Sequence, residues 1–318
     1  MLNVLLLAGG FVALIYGAGM LVDGASALAK RFNVPDIVIG LTIVAFGTSA
    51  PELVVNLFSS INHNSDLALG NVIGSNIFNV LAILGISALI RPLTVKTATT
   101  WIEIPLSLLA AVVVFVMAAD ILLDGGDQAF ISRVDGIILL LFFGVFMAYN
   151  VQTIKNSSSG DVVDTHSFST GKSVLFIVVG LLLLVAGGRM IVYSATNFAR
   201  LIGLSEKIIA LTIVSVGTSL PELATSIVAA RKNNLDIAIG NVVGSNIFNI
   251  FFILGLSSVI YPVSLRGEVP VDIYVNILAS LLLFVFIFTG KGRKLERWEG
   301  IVFILLYAGF VAGLVILE

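Results

Sequence analysis

Glu52 and Glu222 are the residues whose chemistry sits least easily with their surroundings. Glu52 stands in GTSAPELV, which begins at Gly47, and Glu222 in GTSLPELA, which begins at Gly217, each in a run that otherwise reads as membrane helix. A charge at the bilayer centre costs roughly 2.5–3.5 kcal/mol even on the lenient insertion scale, and an intramembrane acid is a functional residue by default. Neither motif helix holds a basic residue within its hydrophobic stretch, so a bound cation or a proton is the natural compensation. On a helix, Thr48 and Ser49 lie four and three residues before Glu52, on its face, and Thr218 and Ser219 stand likewise to Glu222. Pro51 and Pro221 each remove a backbone donor, which predicts a disrupted helix and carbonyl oxygens free to meet a cation.

A second motif follows each of the first. GNVIGSNIFN (70–79) returns as GNVVGSNIFN (240–249), with Ser75 one turn before Asn79 and Ser245 one turn before Asn249. If the two halves face each other, they assemble two carboxylates, two carboxamides, several hydroxyls and freed carbonyls, all hard oxygen donors. Such a set suits alkali and alkaline-earth ions and serves transition metals poorly, since no His, Cys or Met sits there. Ca²⁺ takes six to eight oxygens, and two glutamates neutralise it; Mg²⁺ sheds its waters reluctantly, so a dehydrated cage favours Ca²⁺ or Na⁺. Other residues have plainer readings. The GxxxG spacings Gly70/Gly74 and Gly240/Gly244 suit helix packing. Asn76 and Asn246 suit cross-helix bonding, and Asn71 and Asn241 suit a cap or turn. Asp124 and Asp127 suit an exposed turn, and His63 and His166 solvated loops.

The elements that must hold these residues are membrane helices. Of the 318 residues, 58% are hydrophobic and 11% charged, and mean hydropathy is +1.10, the profile of a polytopic membrane protein. Absence of Cys excludes disulfides and thiolate metal sites. Runs able to cross about 30 Å of hydrocarbon lie near 3–23, 37–60, 67–90, 101–119, 134–152, 173–194, 206–229, 237–260, 271–289 and 299–316. The N-terminal run lacks a basic n-region and reads as a retained first span. The expected fold is therefore all-α and integral to the membrane, with ten transmembrane helices in two five-helix units, 1–155 and 173–318, joined by a linker at 156–172.

Residues 41–90 align without a gap to 211–260, with 27 of 50 positions identical, so the two motif regions, 40–90 and 210–260, are copies. Five is odd, and the second unit must enter from the opposite side. With the N- and C-termini outside, 12 of the 17 basic residues fall in inner connections, as the positive-inside rule expects; Arg133, Arg189, Arg200, Lys207 and Arg266 are the exceptions. Inverted repeats with polar residues at mid-membrane are the sequence signature of a secondary transporter.

GTSAPE with GNVIGSNIFN, repeated as GTSLPE with GNVVGSNIFN, resembles the paired repeats of the cation/calcium exchanger superfamily, in the form of its prokaryotic-type sodium/calcium exchanger branch. The resemblance implies a Na⁺/Ca²⁺ antiporter working by alternating access, electrogenic at three Na⁺ per Ca²⁺. Glu52 and Glu222 would ligate Ca²⁺ and share in Na⁺ binding, with the Thr48 and Thr218 carbonyls completing the calcium shell. Ser49, Ser219, Ser75 and Ser245, with the carbonyls of Ala45 and Ser215, would serve flanking Na⁺ sites, and Asn79 and Asn249 the remaining central corners. Potassium-dependent relatives carry Asp where this chain has Asn249, which argues against K⁺ co-transport. Helices 1 and 6, through Gly17/Gly19 and Gly187/Gly188, are expected to slide as the moving pair. The expected setting is a prokaryotic inner membrane, with the ions and the lipid bilayer as partners, no cofactor, no nucleic acid and no obligatory protein partner. A Ca²⁺/H⁺ antiporter on the same fold is the nearest alternative, and a cation channel a remoter one. An enzyme is not expected, as no HExxH occurs and no Ser–His pair lies within helices.

Overall fold

The computed structural model describes residues 2–125, 128–156, 168–201, 215–265, 269–290 and 292–317. Nearly all of them are helical. Among them, seven helices are long and apolar enough to cross a membrane, or eight if the pair Asp36–Thr48 and Ala50–Ile61, bent by 49°, forms one span. Val271–Phe286 is a shorter apolar helix. The expected span near 206–229 is described from Ser215 onward, as Ser215–Thr218 and Leu220–Arg231. Most of the 156–172 linker, His166 and Asp127 lie outside the described residues.

The first helix, Leu2–Phe32, runs well past the apolar stretch that announces it. Its polar continuation is stabilised from the other half of the chain: Asn234 donates to Ser26 (2.9 Å), and Lys232 donates to Asp23 (2.6 Å) and to the Gly19 carbonyl (3.1 Å). Lys30 and Arg31 in its last turn complement the helix dipole. This helix lies along Thr170–Leu201 at backbone contact distance. A Cβ on Gly17 would sit 2.8 Å from the Gly180 carbonyl, and one on Gly187 would sit 2.7 Å from that of Gly10. The close pairs are thus Gly17–Gly180 and Gly10–Gly187. Gly19 and Gly188, expected in the same seam, instead face Lys232 and the Gly217 turn at looser range.

Ser65–Ile90 and Leu235–Ile260 form the enclosed centre. Gly240 and Gly244 perform the packing role that their spacing suggests, since a Cβ on Gly244 would stand 2.7 Å from the Leu41 Cα and carbonyl oxygen. Both central helices switch to π-helical turns just where the Asn79 and Asn249 segments begin, at Phe78–Leu84 and Phe248–Leu254, as π-bulges in helices often do near functional sites.

Two short antiparallel ribbons, not foreseen in an all-α chain, join the halves. Leu93–Thr94 pairs with Lys294–Leu295, and Ala129–Ile131 with Val263–Leu265. They use connections too short for periodicity to reveal. His63 is exposed as expected, but it stacks on Tyr261 with ring centroids 4.0 Å apart.

Candidate functional site

The break in each motif helix falls on a serine. Asp36–Thr48 stops at Ser49 (φ −81°, ψ 8°) and the chain resumes as Ala50–Ile61. Ser219 (φ −89°, ψ 8°) opens Leu220–Arg231 in the same way. Each proline lies in the first turn of the new helix, where a missing N–H leaves no bond unmade. The break shares its cause with the sequence reading, and it sits two residues past Gly47.

The two breaks meet. Ser49 donates to Glu222 Oε1 at 2.7 Å, and Ser219 to Glu52 Oε1 at 2.9 Å. The serine oxygens also approach the second motifs, with Ser49 3.0 Å from Ser245 Oγ and Ser219 3.1 Å from Ser75 Oγ. The Thr48 hydroxyl lies 3.0 Å from Asn241 Oδ1 and the Thr218 hydroxyl 3.5 Å from Asn71 Oδ1, and the two carboxyl groups lie within electrostatic reach of each other. Each half therefore supports the acid of the other. Glu52, Glu222, Ser49, Ser219, Thr48, Ser75, Ser245, Asn79, Asn249 and Ala45 are all buried. Thr218 is half-buried, and Ser215 opens the helix Ser215–Thr218. The Ala45 carbonyl accepts from the Ser49 N–H at 3.0 Å and lies 3.3 Å from the Thr48 hydroxyl.

Four buried oxygens of the residues expected to form the site have no hydrogen-bond partner: Glu52 Oε2, Glu222 Oε2, Asn79 Oδ1 and Asn249 Oδ1. An unpaired buried acceptor costs about 1–3 kcal/mol, more if charged. Two come from each half, and all four are hard oxygen donors. No His or Cys belongs to the cluster, which keeps to the oxygen chemistry the motifs suggested.

Four residues do more here than their types alone imply. Asn71 donates to Asn56 Oδ1 (2.6 Å) and to the Glu52 carbonyl (3.4 Å), and Asn241 to Ser226 Oγ (2.9 Å) and to the Glu222 carbonyl (3.2 Å). Neither amide caps a turn; each ties a central helix to a glutamate backbone. Asn76 and Asn246 bond across the centre, as expected. Their identity in both copies of the repeat was the signal available for all four.

A family model described as sodium/calcium exchanger protein matches residues 2–152 and 172–316. The sodium/calcium exchanger MaX1 of Methanosarcina acetivorans is 34% identical, covering 98% of this chain and 98% of its own. Inner membrane protein YrbG of Escherichia coli is 37% identical, covering 98% of this chain and 95% of its own. A solved structure of the sodium-calcium exchanger NCX_Mj, soaked with zero Na⁺ and Ca²⁺, superposes with a TM-score of 0.83 at 34% identity, covering 98% of this chain and 99% of that one. Motifs, helical architecture and near end-to-end likeness agree: the chain is an integral membrane transporter, not an enzyme, and belongs to the sodium/calcium exchanger protein family.

Proposed function

We propose that this protein exchanges Na⁺ for Ca²⁺ by alternating access, both ions competing for the oxygen cage between the helix breaks. The observation that carries this reading is the set of four unpartnered buried oxygens, two carboxylate and two carboxamide, drawn equally from the two halves. Glu52 and Glu222 ligate Ca²⁺ and share in Na⁺ binding; the Thr48 and Thr218 carbonyls complete the calcium shell. Ser49, Ser219, Ser75 and Ser245, with the Ala45 and Ser215 carbonyls, hold flanking Na⁺, and the Asn79 and Asn249 oxygens close the centre. Two empty carboxylates in a low-dielectric interior oppose the switch between outward and inward states, and either ion removes that penalty. This is why exchange prevails over leak.

In this reading the chain has ten spans as two inverted units, 1–155 and 173–318, with both termini outside. The ribbons support it: each pairs the connection after the third helix of one half with that after the fourth helix of the other, as an inverted repeat requires. The membrane is a prokaryotic inner membrane, the location in the name of the E. coli relative. Exchange is electrogenic, three Na⁺ for one Ca²⁺, and K⁺-independent, since the Asn at 249 supplies no third acid.

The test is ⁴⁵Ca²⁺ uptake into proteoliposomes loaded with Na⁺, diluted into Na⁺-free buffer at clamped pH, beside Glu52→Gln. The expected result is uptake that requires the Na⁺ gradient, quickens at inside-positive potential, ignores K⁺ and is lost in the variant. Uptake that ignores Na⁺ and follows a proton gradient would overturn the proposal in favour of Ca²⁺/H⁺ exchange.

A further inference from the structure

A carboxamide can turn either its oxygen or its NH₂ toward a cation, and only the oxygen is a ligand. What decides the choice at Asn79 and Asn249 lies one step away, in Asn76 and Asn246. Asn76 Nδ2 donates to the main-chain carbonyl of Asn246 at 3.1 Å, and Asn246 Nδ2 to that of Asn76 at 3.4 Å. A main-chain carbonyl can only accept, so each contact fixes which atom of the side-chain amide is nitrogen. The oxygens of these two amides are thereby turned to the neighbouring pair. Asn249 Nδ2 donates to Asn76 Oδ1 at 3.0 Å, and Asn79 Nδ2 to Asn246 Oδ1 at 3.0 Å. Each NH₂ is thus turned toward an amide oxygen, and the Oδ1 atoms of Asn79 and Asn249 are the ones left buried and unpartnered.

We infer that Asn76 and Asn246 are positioning residues. Through this reciprocal relay, each half's backbone, acting through the other half's amide, dictates that its own central carboxamide meets the cation with oxygen. The inference rests on the proposed cage and deepens it. The relay spans the two enclosed helices, Ser65–Ile90 and Leu235–Ile260, so the orientation is held by the part of the molecule with least room to relax. Loss of an outer partner of a metal ligand typically costs about 10–100-fold in affinity.

The test compares Asn76→Leu with Asn76→Asp in Na⁺-driven Ca²⁺ uptake, reading KM for Ca²⁺ apart from maximal rate. Leucine removes the acceptor that holds the Asn249 amide; a carboxylate can only accept and so preserves that orientation. The expected result is a KM raised about tenfold or more in Asn76→Leu, with Asn76→Asp raised clearly less, since it keeps the acceptor for Asn249 and loses only the donor to the Asn246 carbonyl. Equal impairment of both variants would reduce Asn76 to a packing residue and overturn the inference, as would a parental KM in both. Should Asn76→Leu fail to give monodisperse protein, Asn246→Leu against Asn246→Asp reads the same relay on Asn79. Glu52→Gln is assayed alongside. Parental uptake in that variant sinks the cage itself, whereas an inactive Glu52→Gln beside a parental Asn76→Leu sinks only the relay.

Discussion

In the first half the amide of Asn71 is gripped by another amide, Asn56, at 2.6 Å; in the second, its counterpart Asn241 is held by the Ser226 hydroxyl at 2.9 Å. Thr48 lies 3.0 Å from Asn241 Oδ1, while Thr218 stands off at 3.5 Å from Asn71 Oδ1. Further out the copies diverge completely. The Asp23–Lys232 ion pair, at 2.6 Å, has Tyr193 and Asn62 at the repeat-related positions, which cannot form one. The acids, serines and amides at the centre are duplicated, and the residues one step further out are not. Duplication thus preserves the centre, while the outer supports diverge to suit the different surroundings of each half.

The sharpest way to break this comparison is to remove one acid at a time. Glu52→Gln and Glu222→Gln should each lower Na⁺-driven Ca²⁺ uptake at low Ca²⁺ by more than about 100-fold, beyond the usual cost of disturbing an outer partner. A large difference between the two variants would show that the cage is not functionally two-fold. The supports should respond unequally. Asn56→Ala leaves Asn71 only its 3.4 Å contact to the Glu52 carbonyl and also frees the Ala68 carbonyl and Ser257 that Asn56 reaches, so its KM for Ca²⁺ should rise roughly tenfold. Ser226→Ala removes one bond of Asn241 and a 3.4 Å contact to the Ala238 carbonyl, but leaves the shorter 3.2 Å bond to the Glu222 carbonyl, so its rise should be smaller. Equal effects would erase the distinction drawn here between the halves.

Stability probes sharpen the outer contrast. Gly244→Ala forces a methyl against the Leu41 backbone and should cost about 1–3 kcal/mol, the usual range for overpacking, read as a lower Tm in detergent. An unchanged Tm would mean that the central helix has slack. The smallest effect belongs to Asp23→Asn. Its pair is about one-third exposed on both sides, so the loss should be at most about 1 kcal/mol and should shrink as salt is raised.

The candidate site was legible because its residues are chemically out of place in apolar runs and recur at a constant spacing of 170 residues. The proline-linked breaks were legible for the same reason that they form: a missing N–H is a local property. The relay through Asn76 and Asn246 was not. Its partners lie 167 to 173 residues apart in sequence, and no local pattern tells an oxygen-out amide from a nitrogen-out one. The extension of the first helix to Phe32 was hidden likewise, since Asp23 and Ser26 look like loop residues until Lys232 and Asn234 supply their partners. Gly180 escaped notice because its partner, Gly17, belongs to a helix outside the strongly repeated region.

The two ribbons bear on how such a molecule could be assembled. Each stitches a strand of one half to a strand of the other, and the cage itself is built from cross-half bonds. Held this way, the halves are sewn together at several points besides the peptide chain that joins them. Expressed as two separate polypeptides, 1–156 and 168–318, they should find each other in one membrane and restore uptake; failure to co-purify would show that the covalent join is indispensable. A transporter that closes like a clasp leaves its joining segment free to lengthen, shorten or vanish, which is the freedom that fusing two once-independent subunits would require.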